Sequence, residues 1–183
     1  MTAGRKNITD NKDWCTPRKY VVPITEFFGG TIDLDPCSNS DSIVNANIEY
    51  LLPEHDGLKE SWAYARIFVN PPYGRDKASG TTIKDWLRRC HEAGENGSEV
   101  IALIPVATNT THWKEYVFGS ADSICFLYDT RLKFLEGGFE NKKGAPMACC
   151  IVYWGKYKSR FMDVFNIYGA VVDVSKLKQT KNE

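Results

Sequence analysis

The sequence has no excess of either charge: 23 lysines and arginines stand against 23 aspartates and glutamates in 183 residues. A chain that works on nucleic acid often carries a basic surplus. Without one, any polyanion must be held by a local basic face rather than by the field of the whole molecule. No apolar run approaches the length that crosses a bilayer, and the start, Met1 to Lys6, lacks the apolar stretch of a signal peptide. The expected location is therefore the cytoplasm, with no membrane partner. None of the six cysteines forms a Cys-x-x-Cys pair, and only three histidines accompany them. That spacing speaks against a metal site and for reduced, mostly buried thiols. Internal repeats and low-complexity linkers are also missing, so a single domain is expected over 14–175, with flexible segments at 1–13 and 176–183.

What remains is the composition of a globular domain, 43% hydrophobic and 13% aromatic. Thr16 before Pro17 predicts a helix start, with Thr16 as cap and Pro17 in the first turn. Pro23 predicts a kink or split in that helix, and Gly29-Gly30 its end. Short strands are predicted over 31–35, 66–69, 100–104, 124–128 and 147–154. Helices are predicted over 82–93, where Ile83, Trp86, Leu87, Cys90 and Ala93 recur at helical spacing, and around Trp113 to Val117, ending at Gly119. Trp86, Trp113 and Trp154 read as core. Phe161 to Val174 is expected to be strand. Apolar strands alternating with helices predict a mostly parallel sheet with helices on both faces. The strands at 124–128 and 147–154 have no helix pattern between them and can pair antiparallel.

The chemistry centres on Asn70-Pro71-Pro72-Tyr73, directly after the apolar strand Arg66 to Val69. An adenine amino group is a poor nucleophile because its lone pair is delocalised into the ring. Two acceptors near its hydrogens favour a pyramidal nitrogen whose lone pair points at an incoming methyl group. Asn70 offers a side-chain carbonyl and Pro71 a main-chain one. Each proline keeps the preceding residue extended, so the acceptors are held rigidly. Tyr73 adds a flat ring against which an extruded base can stack. Asn-Pro-Pro is also ordinary turn chemistry; the preceding strand, and Asp35 at another strand end, favour the functional reading. In open parallel sheets ligands bind at the carboxyl ends of strands. Whether the strands of Asp35 and Asn70 are neighbours is not visible in the sequence.

The tetrapeptide resembles the catalytic motif of amino-group methyltransferases. The wider pattern resembles the phage-type Dam-like DNA N6-adenine methyltransferase family. It is carried by Trp14-Cys15-Thr16-Pro17, Asp33-Leu34-Asp35-Pro36-Cys37, Asp56-Gly57-Leu58 followed by Trp62, Phe68 to Tyr73, and Arg131-Leu132-Lys133-Phe134, in that order. The resemblance implies a Rossmann-like α/β methyltransferase domain, S-adenosylmethionine as cofactor and a flipped adenine of DNA as substrate, in a bacterial host cell if the gene is phage-borne. It places Asp35, Pro36 and Cys37 at the methionine end of the cofactor, Asp56 and Leu58 at its adenine, and Trp14, Thr16 and Pro17 over the methionyl side. The turn Asp35 to Asn39 departs from the pattern in having no glycine. Glu49 is a candidate for the acid that holds the ribose.

Two segments are expected to meet DNA. One is Gly74 to Gly80, with Arg75 and Lys77, followed on the next helix by Lys84, Arg88 and Arg89. The other is the loop Leu135 to Ala145, with Lys142 and Lys143, preceded by Arg131 and Phe134, which frame the target base unless Phe134 belongs to the core, the equal alternative. With no separate recognition domain, the expected recognition sequence is short or relaxed. Cytosine N4, adenine in RNA and a protein glutamine amide present the same planar nitrogen. A catalytically idle DNA- or cofactor-binding module is the alternative of a different class.

Overall fold

The structure, a computed structural model, describes residues 14–77, 79–129, 131–141 and 144–178. The described chain runs α1 (Arg18–Phe27), β1 (Leu34–Asp35), β2 (Ile48–Glu49), β3 (Arg66–Val69), α2 (Ile83–Glu95), β4 (Glu99–Pro105), α3 (Thr111–Trp113, continued by a π-helical turn Lys114–Phe118), β5 (Ser123–Leu127), β6 (Leu135–Glu136), β7 (Phe139–Glu140), β8 (Cys149–Trp154), α4 (Lys158–Phe165) and β9 (Gly169–Asp173).

Seven strands form one sheet in the order β2-β1-β3-β4-β8-β5-β9, and β6 and β7 form a separate antiparallel pair. β1 pairs in parallel with both β2 and β3, and β3 in parallel with β4. β8 is antiparallel to β4 and to β5, as the missing helix between 128 and 147 suggests, and β9 is antiparallel to β5. Five of the seven strands therefore run one way, and the antiparallel part is larger than a single pair.

Alternation along the strands divides the core. Val100, Ala102 and Ile104 of β4, with Cys150, Val152 and Trp154 of β8, face α2 and α3, meeting Trp86, Leu87, Cys90 and Trp113. Ile101, Leu103, Ile151 and Tyr153 face α1 and α4, meeting Tyr20, Ile24, Phe27, Phe161 and Phe165. Helices cover both faces, and each fully buried side chain of this size contributes about 1.5–3 kcal/mol. Trp86, Trp113 and Trp154 are core residues. The six cysteines are free thiols, five of them buried.

Three local expectations need correction. α1 continues through Pro23, which is buried with Tyr20, Val21, Ile24 and Phe27; the lost backbone bond is offset by packing of that apolar face. The helix begins one residue later than expected, with Pro17 in the cap position and no side-chain cap. Its end is as expected: Gly29 and Gly30 take positive φ, and Gly30 N–H closes on Thr25 O at 2.8 Å. The span 161–174, expected as strand, holds the end of α4 and then β9. Phe161 and Phe165, four apart and both buried, are a helical pair.

The predicted loop after Phe134 is a tight hairpin, β6–β7, with Gly137 and Gly138 both at positive φ. Beyond Val174 the chain makes one 3-10 turn, Ser175–Leu177, and Lys178 pairs with Asp122 at 2.9 Å. The segment 1–13 and residues 179–183 lie outside the described residues. No helix among the described residues is long and apolar enough to cross a membrane.

Candidate active site at the strand ends

From β1 the chain steps outward to β2 and then returns past β1 to β3. The order reverses there, so Asp35 and Asn70 end neighbouring strands that flank a switch point, where an open α/β sheet leaves a crevice. The neighbourhood left open by the sequence is thereby settled. An ion pair helps to set it. Arg66 of β3 grips Asp33 just before β1 with Nη2–Oδ1 at 2.6 Å and Nε–Oδ2 at 2.9 Å. The hydrogen bond from Arg66 holds the Asp33 carboxyl below its usual range.

Around this crevice the predicted pieces converge. Asn70 Nδ2 donates to the main-chain oxygen of Trp14 at 2.9 Å. The Tyr73 hydroxyl lies 3.2 Å from Asn70 Oδ1 and 3.1 Å from Leu103 O, so its one hydrogen is shared between them. Burial pushes the Tyr73 phenol well up, which keeps it a neutral donor. Trp14 stacks on Phe134 with ring centroids 5.1 Å apart. Tyr73 stands edge-on to both, at 6.5 Å from Trp14 and 5.8 Å from Phe134. The ring that the sequence assigns to stacking is therefore half-buried and anchored to β4, because its hydroxyl finds partners inside the fold. Pro71 is buried and Pro72 exposed.

The cofactor candidates lie on the neighbouring turns. Asp35 is 3% exposed and accepts a hydrogen bond from Cys37 N–H at 3.1 Å. Burial, and secondarily the charge of Glu49 beside it, pushes its carboxyl up to about 7. Glu49 lies directly across from Asp35 in the β1–β2 register. Burial likewise pushes the Cys37 thiol well up, and the backbone N–H of Asn70 is among its neighbours. Cys15 Sγ reaches Asn39 Oδ1 at 3.1 Å, joining the Trp14-to-Pro17 segment to the turn after β1. Asp56 caps its own turn, accepting Leu58 N–H at 3.1 Å and pairing with Lys59 at 2.9 Å. Leu58 is half-buried against the core.

The missing glycine of the Asp35 turn has a counterpart across the crevice. A Cβ at Gly57 would stand 1.7 Å from Pro36 O, so only glycine admits this approach. The Trp62 indole fixes the same residue by donating to Gly57 O at 2.7 Å.

Four buried polar atoms here have no hydrogen-bond partner among the described residues: Trp14 Nε1, Thr16 Oγ1, Ser38 Oγ and Glu49 Oε1. Buried polar groups are rarely left so. Thr16 is free because the helix cap falls on Pro17 instead. Ser38 was not singled out from the sequence, and Gly57 only as part of the Asp56-Gly57-Leu58 string. Ser38 follows Cys37 directly, and an Asp-Gly pair invites a search for close backbone approach. Asp129 was also missed: just beyond β5, it accepts from Tyr20 at 2.5 Å and from Lys19 at 2.7 Å, holding the root of the Arg131–Phe134 segment to α1.

The basic candidates divide. Arg75 and Lys77 are exposed on a turn after Tyr73 that Asp76 N–H closes on Thr81 O at 2.9 Å. Arg131 is exposed and donates to Ala145 O at 3.2 Å across the base of the hairpin. On α2, Arg88 pairs with Glu92 at 3.1 Å, Lys84 with Glu115 at 3.0 Å, and Arg89 donates to Glu60 O at 2.7 Å. Those three brace the α2 side of the molecule. Lys142 and Lys143 lie outside the described residues. Two clefts of about 510 and 390 Å³ open beside Ala65 and Ser98, at the amino ends of β3 and β4, away from Asp35 and Asn70. Their charged groups are largely paired internally, as with Lys178–Asp122 and Lys158–Asp173.

A family model described as DNA N-6-adenine-methyltransferase (Dam) matches residues 4–181. The chain belongs to that family. Membership implies DNA N6-adenine methyltransferase activity and a DNA substrate. No curated protein and no solved structure matches the chain.

Proposed function

We propose that the chain methylates the N6 amino group of adenine extruded from DNA, with S-adenosylmethionine as methyl donor, in one Rossmann-like domain spanning 14–175. The observation that carries this is the fixed Asn70 amide at a switch point. Its nitrogen is committed to Trp14 O, so its oxygen is the acceptor left toward the crevice. One lone pair of Oδ1 meets the Tyr73 hydroxyl, and the other accepts an N6 hydrogen. The Pro71 carbonyl accepts the second. The N6 lone pair is thereby localised, and the amino nitrogen sheds its proton to solvent after methylation, so no strong general base is required. Trp14 and Tyr73 supply the apolar aromatic wall for the base, with Phe134 packed behind them in the core.

Trp14 Nε1, Thr16 Oγ1, Ser38 Oγ and Glu49 Oε1 are donors and acceptors in want of a ligand, and they suit a polar cofactor. Bound there, S-adenosylmethionine supplies an electrophilic methyl group on a sulfonium sulfur. Asp35, with Pro36 and Cys37, holds its methionine end, and Thr16 and Pro17 close that side. Glu49 takes the ribose hydroxyls, and Asp56 with Leu58 the adenine. Arg75, Lys77, Arg131, Lys142 and Lys143 contact phosphates. Arg88 joins them only by leaving Glu92, at small cost for an exposed pair. The recognition sequence is short and read by the loops.

The test is nucleoside analysis of DNA from cells expressing the protein. N6-methyladenine is expected; its absence, with tritium from labelled cofactor passing to RNA, to cytosine or to protein, would overturn the reading.

A further inference from the structure

We propose that Phe139, at the tip of the β6–β7 hairpin, is a wedge that enters the DNA base stack beside the extruded adenine; this rests on the methyltransferase reading above. Phe139 is 80% exposed, more than any other large hydrophobic residue among the described ones. A lone exposed phenylalanine is by itself unremarkable. Here it is aimed. Directly paired residues of a hairpin share a face. Leu135 pairs with Glu140, and Leu135 is buried, so that face is inward. Glu136 pairs with Phe139, so Phe139 is on the outward face.

The root of the hairpin is part of the active site. Cys15 and Leu135 exchange both backbone hydrogen bonds at 2.9 Å, and Asn141 N–H closes on Phe134 O at 2.8 Å. Phe134 itself packs on Trp14 and Tyr73. Along a strand each residue advances about 3.3 Å, close to the ~3.4 Å spacing of stacked bases. Phe139 pairs with Glu136, two residues beyond Phe134, so it is offset from the base site by about two stacking intervals.

The turn also suits entry. Gly137 and Gly138 adopt positive φ, and a Cβ at either would meet nothing, so the tip is slim and preset. A two-stranded ribbon fits the major groove. Glu136 shares the face of the ring and Glu140 follows it on the other face; both repel phosphates, so the tip is unsuited to lie along a strand backbone. Base planes and base edges are what it can approach. Apolar side chains used in this way separate base steps, and a ring in the stack compensates for the base that has left it.

The test begins with an adenine that the natural protein methylates in plasmid DNA, mapped and placed in a short duplex. Steady-state methylation is measured on that duplex and on one with an abasic site opposite the adenine, where extrusion is easier. Phe139→Ala is expected to lose about tenfold to a hundredfold in kcat/KM on the paired duplex, the range of one lost base–aromatic stack, and much less on the abasic one. Phe139→Leu, still an apolar wedge, is expected to stay near the natural rate. Phe139→Ala matching the natural protein on the paired duplex, or losing equally on both duplexes, would overturn the wedge. If the natural protein methylates no adenine in the plasmid, the reading of the active site falls first, which is a different result.

Discussion

At the scale of single residues, Asn70 is constrained from both ends of its amide. Replacing it with alanine removes the oriented acceptor and leaves Trp14 O and the Tyr73 hydroxyl short of a partner. Turnover should fall by on the order of a hundredfold or more, with folding retained, in a methyl-transfer assay accompanied by thermal unfolding. Asp35 carries a pH dependence. Its carboxyl is pushed from 3.8 up to about 7, chiefly by burial. The neutral form is therefore favoured in the free protein at acidic pH, whereas in the proposed cofactor site the ionised form would attract the cationic methionine end of S-adenosylmethionine. Affinity for S-adenosylmethionine should rise as pH increases through about 7, and Asp35→Asn should flatten the profile in calorimetry. Stability runs the other way. The raised carboxyl favours the free fold most below pH 3.8, and that advantage is lost as pH passes about 7.

At the scale of elements, two contacts hold the crevice in shape. Gly57→Ala would force Pro36 and the Asp56 turn apart. The expected result is a KM for S-adenosylmethionine raised roughly tenfold, equivalent to about 1.4 kcal/mol, with kcat less affected. Asp33→Asn removes the charged grip of Arg66 that keeps β1 beside β3. A loss of about 1 kcal/mol is expected in urea unfolding, modest because Arg66 is partly solvated. Asp33 is held low by Arg66, so its contribution is present above pH 3.8 and disappears as pH falls through the lowered value. Much at this scale was legible in the sequence. β3, β4 and β8 are short continuous apolar runs and α2 carries a strong helical pattern, and their apolar positions are the buried ones. Elements set by partners were less legible. β2 has two residues and exists because it pairs with β1. α4 shows only Phe161 and Phe165, and the hairpin resembles a glycine-rich loop until β6 and β7 are seen side by side. The Asn70 string and Asp35 could be read as strand ends. That Ser38 belongs with them, and that Gly57 packs directly on Pro36, could not, because separate irregular segments had to fold before they met.

At the scale of the whole molecule, zero net charge and a DNA substrate are compatible when few phosphates are touched. Each phosphate contact contributes about −0.9 to the slope of log affinity against log salt. Replacing Lys142 and Lys143 together by alanine should reduce that slope by about 2 if both bind phosphate, measured by fluorescence anisotropy across a salt series. Lys158→Ala is the control; paired with Asp173 and lining a cleft away from Asp35 and Asn70, it should change the slope little.

The bridge between Cys15 and Leu135 also bears on how the protein comes into being. Asn70 leans on Trp14, and Trp14 is held by Phe134 and the strand that follows it. A nascent chain thus has the proposed catalytic string long before it has the hairpin that clasps it. At about 5–20 residues per second, translation separates the two by several seconds. Through that interval the emerging polypeptide carries Asn70 without the clasp, so the proposed competence to methylate DNA arrives only once Leu135 has been made, and not with Asn70.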